Sequence, residues 1–170
     1  AAGNEQDPGA GSWAKPISAA GGPLGRPSEM LIADTGGDPA SCVRKAQELV
    51  ERENCHLLMG MTLSSEALAV VPKLADWNAI FISSDNGDGR LTAESFVPNF
   101  FRSNISGPMG TRAVSLYLRD SPMKTFFGIG MDYAWGRGSV GVFEKEVARA
   151  GKTMLGTVFS PTGTKDFSTY

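Results

Sequence analysis

The sequence predicts an α/β fold in which a largely parallel sheet is flanked by helices. Short apolar runs, as in buried strands, alternate along the chain with longer segments whose apolar residues recur at helical spacing. The connections are short, and glycine is frequent at 21 of 170 residues, as expected where strand–helix turns need open backbone angles. This alternation is typical of parallel strands joined by crossover helices.

Six short apolar runs are predicted as strands because each is bounded by turn residues. In chain order they are residues 29–34, 57–59, 79–83, 99–102, 126–130 and 154–159. Little follows the last of these strands and no strand precedes the first, so the sheet edges would offer unpaired backbone groups. We therefore expect an incomplete sheet, that is, a fragment or a chain that lacks partner segments.

The predicted helices are recognised by their first residues and by their apolar periodicity. Asp38 is placed as an N-cap before Pro39, which needs no amide donor at the first helical position. Ser64 or Ser65 is expected to cap the next helix, and another begins at Gly107. A polar-aromatic loop is predicted over residues 132–138, followed by a last helix that ends at Gly151.

Composition and charge exclude several classes of function. The net charge is −2, the pI is about 5.4, and no basic block occurs, so nucleic-acid binding is not expected. The longest apolar runs are far too short to span a bilayer, so no direct membrane insertion is expected. Cys42 and Cys55 lie at the two ends of one predicted helix, about 18 Å apart, which is too far for a disulfide.

The polar residues that follow two neighbouring strands define a candidate binding site. Ser64 and Ser65 come after the strand at 57–59, and Ser84, Asp85 and Asn86 come after the strand at 79–83. Two parallel strands joined by a helix bring their carboxyl ends to the same edge of a sheet. A crevice at that edge is where open α/β sheets bind small molecules. We therefore predict that these two loops form one wall of a ligand site.

Two aromatic residues, Tyr133 and Trp135, lie on the predicted strand-end loop and outside any helical apolar stripe. Such residues are poor candidates for the core. They either cover a hinge or stack on a ligand, and the sequence leaves both interpretations open.

Cofactor and metal sites are weakly supported. Gly128 and Gly130 start a dinucleotide-like pattern, but the third glycine position holds Tyr133 and no acid ends the next strand. Residues 84–95 resemble a calcium loop, yet Ser84 and Ser95 replace the carboxylates of its first and twelfth positions. We expect neither a cofactor nor a metal ion.

Catalytic constellations are also thin. His56 is the only histidine, so the chain offers neither a Ser–His pair near Ser64 nor a metal triad. Asp132 could act as a base, but a loop carboxylate after a strand is more often a helix cap. The hypothesis of an α/β enzyme is therefore the weakest that we consider, and we expect a non-enzymatic protein.

Five stretches occur in an order that is specific as a set. They are Gly21-Gly22 with Leu24-Gly25-Arg26-Pro27, Asp34 through Asp38-Pro39, Met59-Gly60 with Leu63-Ser64-Ser65, Phe100-Phe101-Arg102-Ser103, and Asp132-Tyr133-Ala134-Trp135-Gly136. Together they resemble the type I periplasmic solute-binding proteins of the branched-chain amino-acid ABC transporter kind, also called extracellular ligand-binding receptors. The resemblance runs from about residue 17 to residue 170.

This resemblance implies a Rossmann-like parallel sheet in the form of periplasmic-binding-protein type I lobes. Residues 1–103 would be a first lobe that lacks a recognisable first strand, and residues 104–170 the start of a truncated second lobe. The implied protein is the solute-binding component of an ABC-type uptake system, periplasmic or anchored at the cell surface. It would capture a small amino-acid-like or aromatic-acid ligand between its lobes and deliver it to a membrane permease. The alternative is a ligand-sensing domain of a receptor or regulator with the same lobes.

The resemblance also assigns roles to particular residues. Ser64 would hydrogen-bond the ligand carboxylate with help from the backbone around Asp85 and Gly87, and Trp135 would cover the ligand from the other lobe. Asp85 and Gly87 replace the small and hydroxyl residues usual in amino-acid binders. A carboxylate at this position would repel a ligand carboxylate, so the sequence does not define the ligand.

Overall fold

The computed structural model of the chain describes the backbone of residues 7–170 and the side chains of residue 12 and residues 14–170. Residues 1–6 of the predicted first lobe lie outside the described residues. The elements, in order, are α1 (Asp7–Ala19), α2 (Pro39–Glu51), β1 (Leu57–Met59), α3 (Ser64–Val70), β2 (Ile80–Ser83), β3 (Phe100–Arg102), α4 (Gly107–Arg119), β4 (Thr125–Met131), α5 (Ala134–Arg149) and β5 (Thr153–Ser160).

The strands form two parallel sheets with helices packed against them, which confirms the predicted α/β class. The first sheet has the order β1-β2-β3, and the second pairs β4 with β5. The chain passes from the first sheet to the second between Arg102 and Thr125. The division into lobes at residues 103 and 104 stays a prediction.

The core of the first sheet is built from one face of α2 and of α3, from the three strands and from the turns that follow α3. Phe81 of β2 is fully buried and meets Phe100 of β3 edge to face, with ring centroids 5.2 Å apart. Burial of a side chain of this size contributes about 2–3 kcal/mol. The other buried members of this core are Cys42, Ala46, Val50, Leu58, Ala67, Val70, Val71, Leu74, Ala79 and Leu91. This packing holds β2 in the centre, so the loop that follows it starts from a rigid strand.

The predicted strand at 29–34 is wrong. These residues have no strand partner among the described residues, and Met30, Leu31 and Ile32 remain exposed. A strand forms only where a neighbouring strand satisfies its backbone groups, and an apolar run does not reveal whether that neighbour exists. The turn that follows is nevertheless tied to α3, because the Thr35 hydroxyl donates to the buried carboxylate of Glu66.

Two predicted helix starts differ from the structure. The N-cap of α3 is Leu63, whose amide donates to Glu66 Oε2 at 3.2 Å, and Ser64 is the first helical residue. The loop predicted over 132–138 is largely helical, because α5 begins at Ala134. The glycines of this stretch disfavour a helix by propensity, but contacts with β4 override that preference. By contrast, Asp38 caps α2 as predicted and accepts from Ser41 N at 2.6 Å.

Both cysteines are free, which confirms that they do not pair. Cys42 is buried in the core, and burial, followed by the charges of Glu66 and Asp38, raises the pKa of its thiol to about 12. Cys55 is only partly buried, and desolvation also raises the pKa of its thiol. The two thiols should therefore differ in reactivity, since the thiolate is the reactive form.

We expect the thiol of Cys55 to react slowly with Ellman's reagent in the native chain at pH 8, and the thiol of Cys42 to react only after unfolding. The raised pKa of Cys42 also affects the free energy of unfolding: the stabilisation from its neutral thiol should be complete below pH 9. It should be lost as the pH rises towards 12, because the thiol ionises at lower pH in the unfolded chain. The check is a thiol titration with and without guanidinium. Equal, rapid reaction of both thiols in the native chain would contradict the burial of Cys42.

Of the helices among residues 7–170, none is long and apolar enough to cross a bilayer.

Candidate functional site

The loops that follow β1 and β2 lie side by side, as the parallel arrangement predicts. The amide of Asp88 donates to Ser64 Oγ at 3.2 Å, and Asn86 Nδ2 donates to the carbonyl of Met61. Ser64 and Asn86 are both buried. The serine-bearing loop and the Asp85–Asn86 loop therefore form one continuous rim at the carboxyl edge of the first sheet.

The backbone of the loop after β2 is held from two sides. Ser83 Oγ donates to Asn86 Oδ1 at 2.8 Å and accepts from the Asn86 amide at 3.0 Å. From β3, Arg102 Nη1 donates to the carbonyl oxygens of Asp88 at 2.7 Å and Asn86 at 3.3 Å. The carboxylate of Asp88 also forms an ion pair with Arg90, with Nη2 of Arg90 2.8 Å from Oδ2 of Asp88. Arg102 was not predicted, although a basic residue at the end of a third parallel strand could have suggested it.

The indole of Trp135 is fitted against two glycines. A Cβ at Gly87 would lie 2.5 Å from Trp135 Cδ1 and Nε1, and a Cβ at Gly107 would lie 2.7 Å from Nε1. Gly107 N also donates to Gly87 O at 2.6 Å, so the two glycines form one joined surface. Trp135 stays 42% exposed, and its ring centroid is 6.0 Å from that of Tyr133. The first turn of α5 thus places an aromatic pair directly over the rim of the first sheet.

A cleft of about 640 Å³ lies between the rim of the first sheet, α4, β4 and α5. This volume is within the range of small-molecule sites. Its apolar end is lined by residues of α4, β4 and α5. Its polar end is lined by Thr62, Leu63, Ser64, Asp85, Gly87, Asn104, Ile105, Ser106, Gly107, Tyr133, Trp135 and Ser139, and its apolar end by Gly110, Thr111, Val114, Phe127, Gly128, Ile129, Val140 and Phe143.

Of the eight predicted site residues, the cleft brings five together: Ser64, Asp85, Gly87, Tyr133 and Trp135. The other three do not line it. Asn86 points into the protein, where its amide bonds to Met61 and Ser83, while Ser84 is exposed and Ser65 is partly buried on α3. Sequence alternation after a strand cannot show which residues of a turn face a cleft, because irregular backbone has no fixed side-chain period.

Five polar residues of the cleft lining were not predicted from the sequence, namely Thr62, Asn104, Ser106, Thr111 and Ser139, and two of them carry an unpartnered atom. Asn104 Oδ1 and Ser139 Oγ are buried and have no hydrogen-bond partner among the described residues. Buried polar atoms normally have a hydrogen-bond partner, so a bound molecule could supply the missing partner of each of these two atoms. Asn104 comes shortly after β3, so it could have been predicted by the rule used for Ser64, that polar residues after parallel strands meet at one edge of the sheet. Ser139 comes four residues after Trp135 and lies on the same face of α5. Because residues 132–138 were predicted to be a loop, the sequence reasoning did not place the two residues on one helix face.

The electrostatics of the cleft are dominated by one carboxylate. Asp85 is the only charged residue that lines it among the described residues. Burial, followed by the charge of Asp85, raises the pKa of Tyr133, so its phenol is a hydrogen-bond donor at neutral pH. Asp132 lies outside the cleft lining, and its hydrogen bonds from Arg137 lower the pKa of its carboxyl. Asp132 is therefore neither the helix cap nor a free base.

Among residues 7–170, no group of three or more His, Cys, Asp or Glu residues is placed to hold a metal ion. The side chains at the centre of the calcium-like stretch have protein partners instead: Asn86 bonds within its loop, and Asp88 pairs with Arg90.

Comparison with known proteins gives consistent matches. The profile of the family described as "Periplasmic binding protein" matches residues 1–170. The Leu/Ile/Val-binding protein homolog 6 of Brucella abortus (strain 2308) is 25% identical over 131 residues, which are 77% of this chain and 33% of that protein. The chain thus spans about a third of the length of the curated relatives it matches.

Two solved structures show the same fold. A periplasmic binding protein from Burkholderia mallei superposes with a TM-score of 0.84 at 26% identity, covering 92% of this chain and 42% of that chain. A solute binding protein of an ABC transporter from Rhodopseudomonas palustris BisB5, solved in complex with 3,4-dihydroxybenzoic acid, superposes with a TM-score of 0.85 at 20% identity. That match covers 99% of this chain and 46% of the other.

Proposed function

Because the chain belongs to the periplasmic binding protein family, we propose that it is the solute-binding component of an ABC-type uptake system. In this proposal it captures a small amino-acid-like or aromatic ligand outside the cytoplasm, in the periplasm or anchored at the cell surface, and passes it to a membrane permease. It acts by binding and not by catalysis.

The observation that carries the proposal is the cleft between the rim of the first sheet and the first turn of α5. One wall is polar and rigid, because Ser64 and the loop around Gly87 are hydrogen-bonded to each other. From the start of α5, Tyr133 and Trp135 add two aromatic rings to the lining. Sites of this kind bind small molecules through a few fixed polar groups and an apolar cover. Residues 1–103 and 104–170 are proposed to be the two lobes that close on the ligand.

Ser64→Ala and Trp135→Ala are each expected to weaken solute binding about tenfold or more. The first substitution removes a hydroxyl whose hydrogen remains free to donate, and the second removes the aromatic cover. Ligands are first found by thermal-shift screening of the full chain against amino acids, amides and aromatic acids, and affinities are then measured by calorimetry. Circular dichroism confirms that each variant is folded.

Matched controls lie away from the cleft lining. Ser41→Ala removes a hydroxyl on α2, and Tyr117→Ala removes an aromatic ring that is 79% exposed on α4. Neither should change the affinity. If a ligand is found and neither Ser64→Ala nor Trp135→Ala alters its affinity, the site assignment is wrong.

A further inference from the structure

The polar end of the cleft has an unbalanced negative charge. Asp85 lines the cleft, is exposed to it, and takes part in none of the ion pairs among the described residues. No lysine, arginine or histidine of the described chain lines the cleft. A ligand that enters therefore meets a carboxylate that no cationic side chain of the described residues pairs with.

Three arginines on segments that adjoin the cleft residues are engaged in other contacts. Arg90 pairs with Asp88, and Arg102 donates to two backbone carbonyls of the loop and to the Thr92 hydroxyl. Arg137 holds Asp132 and stacks over the ring of Phe159, with its guanidinium carbon 4.5 Å from the ring centroid. These contacts fix the guanidinium groups outside the cleft lining, so they are not positioned to receive a ligand carboxylate.

One unpartnered atom of the cleft lining is, like the Asp85 carboxylate, only an acceptor. Asn104 Nδ2 donates to the Ile105 carbonyl at 3.2 Å, and the flipped amide would set two oxygens against each other. The buried Oδ1 of Asn104 is therefore an acceptor that lacks a donor among the described residues. The unpartnered hydroxyl of Ser139 can donate or accept, so it does not discriminate between ligands. A ligand N–H group can satisfy Asp85 and Asn104 Oδ1, whereas a carboxylate can satisfy neither of them.

The aromatic cover fits the same chemistry. The indole of Trp135 and the ring of Tyr133 line the same cleft as Asp85, and the charge of Asp85 acts on the Tyr133 phenol. Aromatic rings attract cations, and tryptophan does so most strongly. A carboxylate and aromatic rings that line one cleft both stabilise a positive charge within it.

We propose that the solute bound in this cleft carries a positively charged nitrogen, as a primary ammonium or an amidinium group, and that Asp85 is its counter-ion. This inference rests on the proposed solute-binding function and narrows its ligand class. Amino-acid-like ligands meet the requirement through their ammonium group, whereas simple aromatic acids do not.

The test uses three probes of similar size that differ in the charge of one group: benzylammonium, benzyl alcohol and benzoate. Each is titrated into the full chain at low and high salt by calorimetry and by quenching of tryptophan fluorescence. Benzylammonium should bind about tenfold more tightly than benzyl alcohol at low salt, benzoate should bind most weakly, and salt should reduce the difference. In Asp85→Asn, the advantage of benzylammonium should disappear.

The control is Asp76→Asn, which removes the same charge from an exposed position before β2, at the opposite edge of the sheet. It should leave the order of the three affinities unchanged. Tightest binding of benzoate, or an order of affinities that Asp85→Asn does not change, would overturn the inference while leaving the solute-binding function intact. Binding of none of the probes would also overturn it, and the broader solute screen then decides the proposed function separately.

Discussion

Asn86→Ala is expected to lower the free energy of unfolding by about 3 kcal/mol, the cost of leaving buried polar groups without partners. The amide of Asn86 is fully buried and joins two loops, donating to the Met61 carbonyl and accepting from Ser83 Oγ at 2.8 Å. Alanine removes both bonds, so the buried Ser83 hydroxyl loses its acceptor and the Met61 carbonyl loses its donor. The rim that carries Ser64 and Asp85 should loosen with it, so ligand affinity should fall too.

The effect is measured by urea unfolding followed by circular dichroism. Ser84→Ala is the matched control, since Ser84 lies in the same loop but is exposed, and its change should stay within about 0.5 kcal/mol. A loss below about 1 kcal/mol for Asn86→Ala would show that the amide does not hold the two loops together.

Gly136→Ala is expected to destabilise the chain by about 3 kcal/mol and to displace Trp135. A Cβ at Gly136 would lie 2.2 Å from the carbonyl oxygen of Met131, and a backbone atom in a strand cannot move aside cheaply. The first turn of α5 would have to lift away from the end of β4. The indole of Trp135, which packs against Gly87, would move with this turn.

The control is another glycine of the same helix. A Cβ at Gly141 would meet nothing within 4 Å, so Gly141→Ala should raise the stability by about 0.5–1 kcal/mol through helix propensity alone. Both variants are compared by thermal unfolding and by the emission maximum of tryptophan. Equal stabilities for the two alanine variants would contradict the close contact between Gly136 and β4.

Strands and helices could be predicted wherever the signal is local. The strand predicted at 57–59 is β1 to the residue, and those at 79–83 and 126–130 agree with β2 and β4 to within one residue at each end. Turn residues bound these runs, so their limits need no knowledge of distant parts of the chain. Residues 29–34 have the same composition but form no strand, because pairing depends on a neighbour that the run itself does not encode.

The candidate site divides in the same way. The meeting of the loops that carry Ser64 and Asn86 follows from parallel strand topology and was predictable. That Asn86 turns inward while Asp85 faces the cleft depends on hydrogen bonds to Met61 and Ser83, which local sequence does not reveal. Asn104 could have been predicted from its position after β3, whereas the place of Ser139 in the cleft depends on α5 beginning at Ala134.

The sequence by itself determined the α/β class, the alternation of strands and helices, and the edge of the sheet where polar residues collect, because these follow from short-range periodicity and turn chemistry. Only the tertiary structure decided that α5 begins at Ala134, that the indole of Trp135 fits against Gly87 and Gly107, and that Asp85 is the one charged side chain of the described residues that lines the cleft. Those features depend on distances of a few ångströms between segments remote along the chain, and close packing, unlike periodicity, is not encoded locally.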